Sequence, residues 1–238
     1  VGSGDEAVGG QAPLGRPSRN DELSTLIEPV LAGFDAAHKA REQGLAACRR
    51  TIRACGQAIR AIHRGQPDAV ASFTAEARDA LRSAQEVLGP HPAVMYAGFL
   101  VDAEKEYAEA LLTAALVSGS PLPSVAEVGV EPVSWVKGLT EAASELRRYL
   151  LDRLRAGQED VAESMLRHME DVYDTLVMID YPDAITGGLR RSVDALRAVL
   201  ERSRADVTTT VLQGRLRTAM ERAAGSGGAP DDAEPGSE

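Results

Sequence analysis

Three acidic side chains, Asp102, Glu106 and Glu109, recur at spacings of four and three within a stretch of helical periodicity. In a helix those spacings place the side chains on one strip of surface. Lys105 is expected to point away from that strip. Like charges so arranged repel by roughly 0.2–0.5 kcal/mol per pair unless a cation neutralises them. A second pair, Glu141 and Glu145, stacks at a spacing of four on the side of a later helix away from its apolar stripe. Lys137 and Arg148 lie within helical reach of that pair. A hard divalent cation takes a few carboxylate oxygens plus water. Once bound, it polarises a phosphoryl oxygen and makes water a nucleophile. Taken alone, each set also fits a solvated acidic face, because such spacings are common in helical proteins.

Arg49, Arg53, Arg60 and Arg64 fall on one face of the first helical stretch, with His63 beside them and Arg41 a turn further back. Guanidinium forks match phosphate oxygens, which makes the row a candidate track for nucleic acid. Surface ion pairs are the plainer account in a chain whose formal net charge is −10. That charge argues against coating duplex DNA by bulk electrostatics and leaves room for a local basic face. Arg190 and Arg191 open the last helix, where the dipole disfavours them, so pairing with Asp183 or Asp194 is expected. Other chemistry is absent. No HExxH, CxxC, GxGxxG or Walker pattern occurs, and His38, His91 and His168 keep no metal-ligand spacing.

The elements that must position these groups are helical. Hydrophobic residues make up 44% of the 238 and aromatics only 4%. Ala, Leu, Arg and Glu abound, and all of them lose little side-chain freedom in a helix. No segment alternates with period two, so no sheet is expected. Residues 1–19, rich in Gly, Pro and Ser, read as a disordered leader without the apolar core of a secretory signal. Asn20 offers a cap to a first helix of about 45 residues, roughly 65 Å long, which Pro29 could split.

Further helices are expected from about 67 to 88, 93 to 117, 132 to 157, 159 to 179 and 189 to 224. The longest loop, 118–132, has room for one short turn. In the helix expected over 93–117, Tyr96, Phe99, Leu100, Ala103, Tyr107, Ala110, Leu111 and Ala114 form the apolar stripe. Residues 225–238 read as a disordered acidic tail. The whole is one all-α domain over 20–224, an elongated bundle of six to seven long antiparallel helices. Cys48 and Cys55 lie too far apart along a helix to bridge. Two buried thiols and a cytoplasmic location follow, and no run is apolar enough to span a membrane.

Several segments together resemble the translin/Trax family: CGQAIRAIHRG (55–65), EYAEA (106–110), GLTEAASELRR (138–148) and LVMIDYPDAITGGLRRSVDALR (176–197). The similarity spans about residues 20–216. It implies an all-α translin-like fold and assembly into a hollow homo-octamer that binds single-stranded RNA or DNA. In the Trax branch catalytic carboxylates come from EYxEA and GxxDxxxE segments, which carry over to Glu106, Glu109, Glu141 and Glu145. The third is Asp in the family pattern, one methylene shorter than the Glu here. The translin branch replaces the EYxEA glutamates and binds without cutting. Residues 92–103, where translin has a basic stretch, contain no Lys, Arg or His. The helix-one arginines are therefore the candidates for RNA phosphates.

The resulting expectation is a Mg²⁺-dependent endoribonuclease, with Mn²⁺ as an alternative ion. Glu106, Glu109 and Glu141 would hold the metal, and Glu145 would be a ligand or general base. A non-catalytic binder of single-stranded RNA or DNA is the alternative, and a helical scaffold with idle acidic faces is the third.

Overall fold

The computed structural model describes residues 18–226, and among them every regular element is helical. The first helix, α1 (Arg19–His63), starts from Ser18. The Ser18 hydroxyl accepts from the Asp21 amide and the Asp21 carboxylate accepts from the Ser18 amide, so Ser18 and not Asn20 is the cap. All of the expected leader but Ser18 and Arg19 lies outside the described residues, as do 227–238 of the expected tail. The helix runs unbroken past Pro29. Residues 19–36 are exposed, so water can take the carbonyl that Pro29 leaves without a donor.

Gly65, at φ 64°, turns the chain into α2 (Pro67–Leu88). The expected third helix is in fact two. A single turn, α3 (Pro92–Met95), is followed by Tyr96, Ala97 and Gly98, and α4 (Phe99–Ser118) begins only then. Gly98 sits at φ 100°, a conformation a helix cannot continue through. Tyr96 is consequently 73% exposed instead of joining the apolar stripe, while Leu100, Ala103, Tyr107 and Ala110 are buried as expected.

Within the long loop Ser124 and Glu127 cap the short α5 (Val125–Val128). Pro132 opens α6 (Pro132–Arg155), which is followed by α7 (Glu159–Leu176), a single turn α8 (Asp183–Thr186) and α9 (Leu189–Ser226). Arg190 lies 3.8 Å from Asp180, both highly exposed, and not against Asp183 or Asp194. No helix is long and apolar enough to cross a membrane.

Helix α1 packs on α2 and α4, while α6 packs on α4, α7 and α9. Much of the core is alanine: Ala54, Ala58, Ala77, Ala84, Ala103, Ala108, Ala142 and Ala143 are all but fully buried. Small side chains let helix axes approach closely. A buried acid registers α6 against α4. The Glu104 carboxylate accepts from Gln85 Nε2 at 2.9 Å, from Ser134 Oγ at 3.1 Å and from the Glu131 amide at 3.3 Å. It thus ties the entry of α6 to the middle of α4. Cys48 and Cys55 are free and buried.

Where α1 meets the end of α2, a Cβ on Gly44 would lie 2.7 Å from Leu88 Cδ2, and Leu88 is fully buried. Removing an interior helix glycine ordinarily gains about 1 kcal/mol. Overpacking a filled core costs about 1–3 kcal/mol. We expect the second effect to win, so Gly44→Ala should lower the midpoint of thermal unfolding. A raised midpoint would show that Leu88 yields freely.

Candidate metal centre

One face of α6 carries Ser134, Gly138, Glu141 and Glu145, at spacings of four, three and four; it faces α4, and Glu145 reaches the end of α1. Gly138 sets the approach. A Cβ there would lie 2.7 Å from Ala108 Cβ and 2.9 Å from both the Glu109 amide nitrogen and the Lys105 carbonyl oxygen. The two backbones therefore touch, and any side chain at 138 would push them apart. One turn further along α6, Glu141 arrives beside the acidic strip of α4.

The result is a three-carboxylate cluster. Glu106, Glu109 and Glu141 each offer an oxygen, and those oxygens all lie within 4.8 Å of one another. Glu109 is the deep member at 8% exposure, whereas Glu106 and Glu141 are half-buried. Burial, reinforced by the neighbouring Glu106 and Glu141 charges, pushes the Glu109 carboxyl up to about 8. Asp102 is exposed and stands outside the group.

Lys105 does not point away. Its ammonium donates to both Glu141 oxygens, at 2.9 and 2.7 Å, and lies 3.1 Å from Glu106. Burial alone would lower its pKa, but the hydrogen bonds to Glu141 and Glu106 prevail and lift it to about 12. Lys105 and Glu109 are four residues apart, so they share a side of α4. Lys137 and Arg148 take no part in the cluster: Lys137 donates to the Gly187 carbonyl and Arg148 is exposed.

Glu145 is held separately. His63, at the end of α1, places Nε2 2.5 Å from Glu145 Oε1, and its side chain is only 4% exposed. A carboxylate only accepts, so Nε2 carries the hydrogen. His63 Nδ1 is buried with no hydrogen-bond partner among the described residues. This residue was visible in the sequence only as a neighbour of the arginines. Nothing local could have linked positions 63 and 145, which are 82 residues apart. Arg49, Arg53, Arg60 and Arg64 are exposed and form no ion pair with any described residue, so the surface-salt-bridge account does not describe them. Arg41 pairs only with its neighbour Glu42.

No protein-family model matches the sequence. An uncharacterized protein of Methanocaldococcus jannaschii is 28% identical over 207 residues, 85% of this chain and 88% of the relative. The solved structure of AfC3PO from Archaeoglobus, in complex with duplex RNA, matches at TM-score 0.69 and 28% identity over 82% of this chain and 97% of that one. A second AfC3PO crystal structure matches as well, at 0.69 and 28%, covering 82% of this chain and 98% of that one. Apo-NeC3PO from Nematostella shares the fold at TM-score 0.68 and 18% identity, over 85% of this chain and all of that one. In fold and sequence the chain is thus similar to the C3PO proteins, which are translin/Trax complexes.

Glu109 gives the centre a pH signature. Its folded pKa of about 8 lies above the ordinary carboxylate value of 4.5, so the folded state holds the proton more tightly. The associated stability is full below the unfolded value, declines as pH rises from about 4.5 to 8, and levels off above. We therefore expect the metal-free protein to lose thermal stability between pH 5 and 8. Glu109→Gln should flatten that slope. An equal slope in the variant would mean that Glu109 titrates normally.

Proposed function

We propose that this chain is a divalent-cation-dependent endoribonuclease of the Trax type, acting on RNA with single-stranded RNA as its substrate. One observation carries the reading: three carboxylates from two touching helices converge, and the deepest of them resists ionisation. Buried carboxylates short of positive charge suit a hard cation, so the donor set fits the ion that the family resemblance implies. Glu106, Glu109 and Glu141 would hold it, Mg²⁺ first and Mn²⁺ as the alternative. A bound ion of this kind supplies phosphoryl polarisation and acidifies water.

The chain's own groups do the remaining work. Glu145 stands outside the trio, its carboxylate oriented by the His63 Nε2–H. It accepts the proton of the water whose oxygen forms the new bond to phosphorus, while the bond from phosphorus to the ribose oxygen breaks and that oxygen leaves as a hydroxyl with a proton from solvent. The arginine row on α1 supplies charge for the RNA backbone, and Arg60 and Arg64 flank His63 in sequence. AfC3PO with duplex RNA is a precedent for RNA on this fold.

An exposed apolar stripe supports a homo-oligomer, with the octamer of the resemblance as the proposed form. Leu23, Leu26, Ile27, Val30, Leu31 and Phe34 follow helical spacing on α1 and are 43–67% exposed. A second copy would cover such a face. Two free buried thiols agree with a reducing cytoplasm.

A second reading has one observation in its favour. Lys105 already neutralises part of the cluster, as it would in a protein that binds RNA or single-stranded DNA without cutting. Labelled single-stranded RNA incubated with Mg²⁺ or EDTA separates the two. Cleavage should require the ion, and Glu109→Ala or Glu141→Ala should reduce it by roughly a hundredfold or more. Retention of RNA with no fragments under any metal would favour the binding protein. For assembly, Leu26→Glu combined with Phe34→Glu should lower the mass measured by light scattering. An unchanged mass would place the subunit contacts elsewhere.

A further inference from the structure

Lys105 sits where a cation belongs. Its ammonium bonds both oxygens of Glu141 and lies 3.1 Å from Glu106, two of the three carboxylates of the cluster. Its side chain is 18% exposed and belongs to α4, the same helix that carries Glu106 and Glu109. The other cations once expected near these acids are engaged elsewhere or solvated: Lys137 donates to Gly187, and Arg148 is exposed. His63 faces Glu145 and not the trio.

Both Glu141 oxygens are committed to the ammonium, so Glu141 has little lone-pair capacity left facing Lys105. A divalent ion and the ammonium are also like charges drawn to the same oxygens. At a few ångströms in a half-buried cleft their mutual repulsion is unfavourable. The long, flexible lysine stem lets the ammonium leave the cluster, while α4 keeps it nearby.

We propose that Lys105 is a built-in counter-ion of the carboxylate cluster that competes with the divalent ion for Glu141 and must release it when the ion binds. The inference rests on the metal-centre reading above. It gives the metal-free protein a neutralised cleft and sets the concentration of free cation at which the site fills.

Two measurements on the full chain test it, neither of which reads activity. The first is Mn²⁺ binding by calorimetry or electron paramagnetic resonance. Lys105→Met keeps the apolar stem and removes the charge, so two charge-assisted hydrogen bonds no longer need breaking. It should tighten Mn²⁺ binding by roughly tenfold. The second measurement needs no variant. The sequence holds only three lysines, Lys39, Lys105 and Lys137. Limited amine labelling followed by peptide mass spectrometry reads each one, with the exposed Lys39 as internal reference. Adding Mg²⁺ should raise Lys105 labelling severalfold and leave Lys39 unchanged.

Wild-type Mn²⁺ binding with equal or weaker binding in Lys105→Met would overturn the proposal and leave the metal centre standing. Tightening without any rise in labelling would also overturn it, because ion and ammonium would then share the cluster. Binding by neither protein would remove the metal-centre reading itself and this inference with it.

Discussion

The contact of α6 with α4 at Gly138 is the constraint on which the candidate site depends. A Cβ at this position would fall 2.9 Å from the backbone of α4, so the two helices meet backbone to backbone. From that point the helical repeat of α6 does the rest. Glu141 comes to the acidic strip one turn later, and Glu145 reaches His63 at the end of α1 another turn on. Upstream, Ser134 reaches Glu104, whose buried carboxylate locks the register. A single row of side chains on α6 therefore converts one close approach into a carboxylate cluster shared with α4 and a separate contact with α1.

Energetically the cluster is unfavourable on its own, which is why it is informative. Bringing carboxylates together away from water raises the cost of ionising the deepest one, and Glu109 responds by holding its proton to about 8. Lys105 offsets part of the charge but leaves Glu109 without a direct partner of its own. A fold gains no stability from such an arrangement. Residual negative charge aimed at one point is what the proposed cation site needs.

Much of the scaffold was legible before any coordinates. Gly65, Gly119 and Gly157 punctuate the helices where the left-handed conformation is needed, and Pro67 and Pro132 mark helix starts. The break at Gly98 was harder, because a glycine in a helical pattern is tolerated as often as it stops one. Helical spacing singled out the four glutamates, the family resemblance implied their roles, and three of them converge. The extra methylene at position 141 does not take its carboxylate out of reach. Lys105 was misjudged because charge along the strip was read from acidic spacing alone. The four-residue separation from Glu109 places the lysine on the same side. The His63–Glu145 contact and the burial of Glu104 come from helix packing between distant segments, which no local spacing encodes.

The most direct test of the central claim is anomalous diffraction from crystals soaked in Mn²⁺. The account predicts one strong peak within about 2.3 Å of oxygens from Glu106, Glu109 and Glu141, as expected for a divalent ion on carboxylates. A cleft with no peak at millimolar Mn²⁺, or with manganese only on surface acids elsewhere, would contradict it.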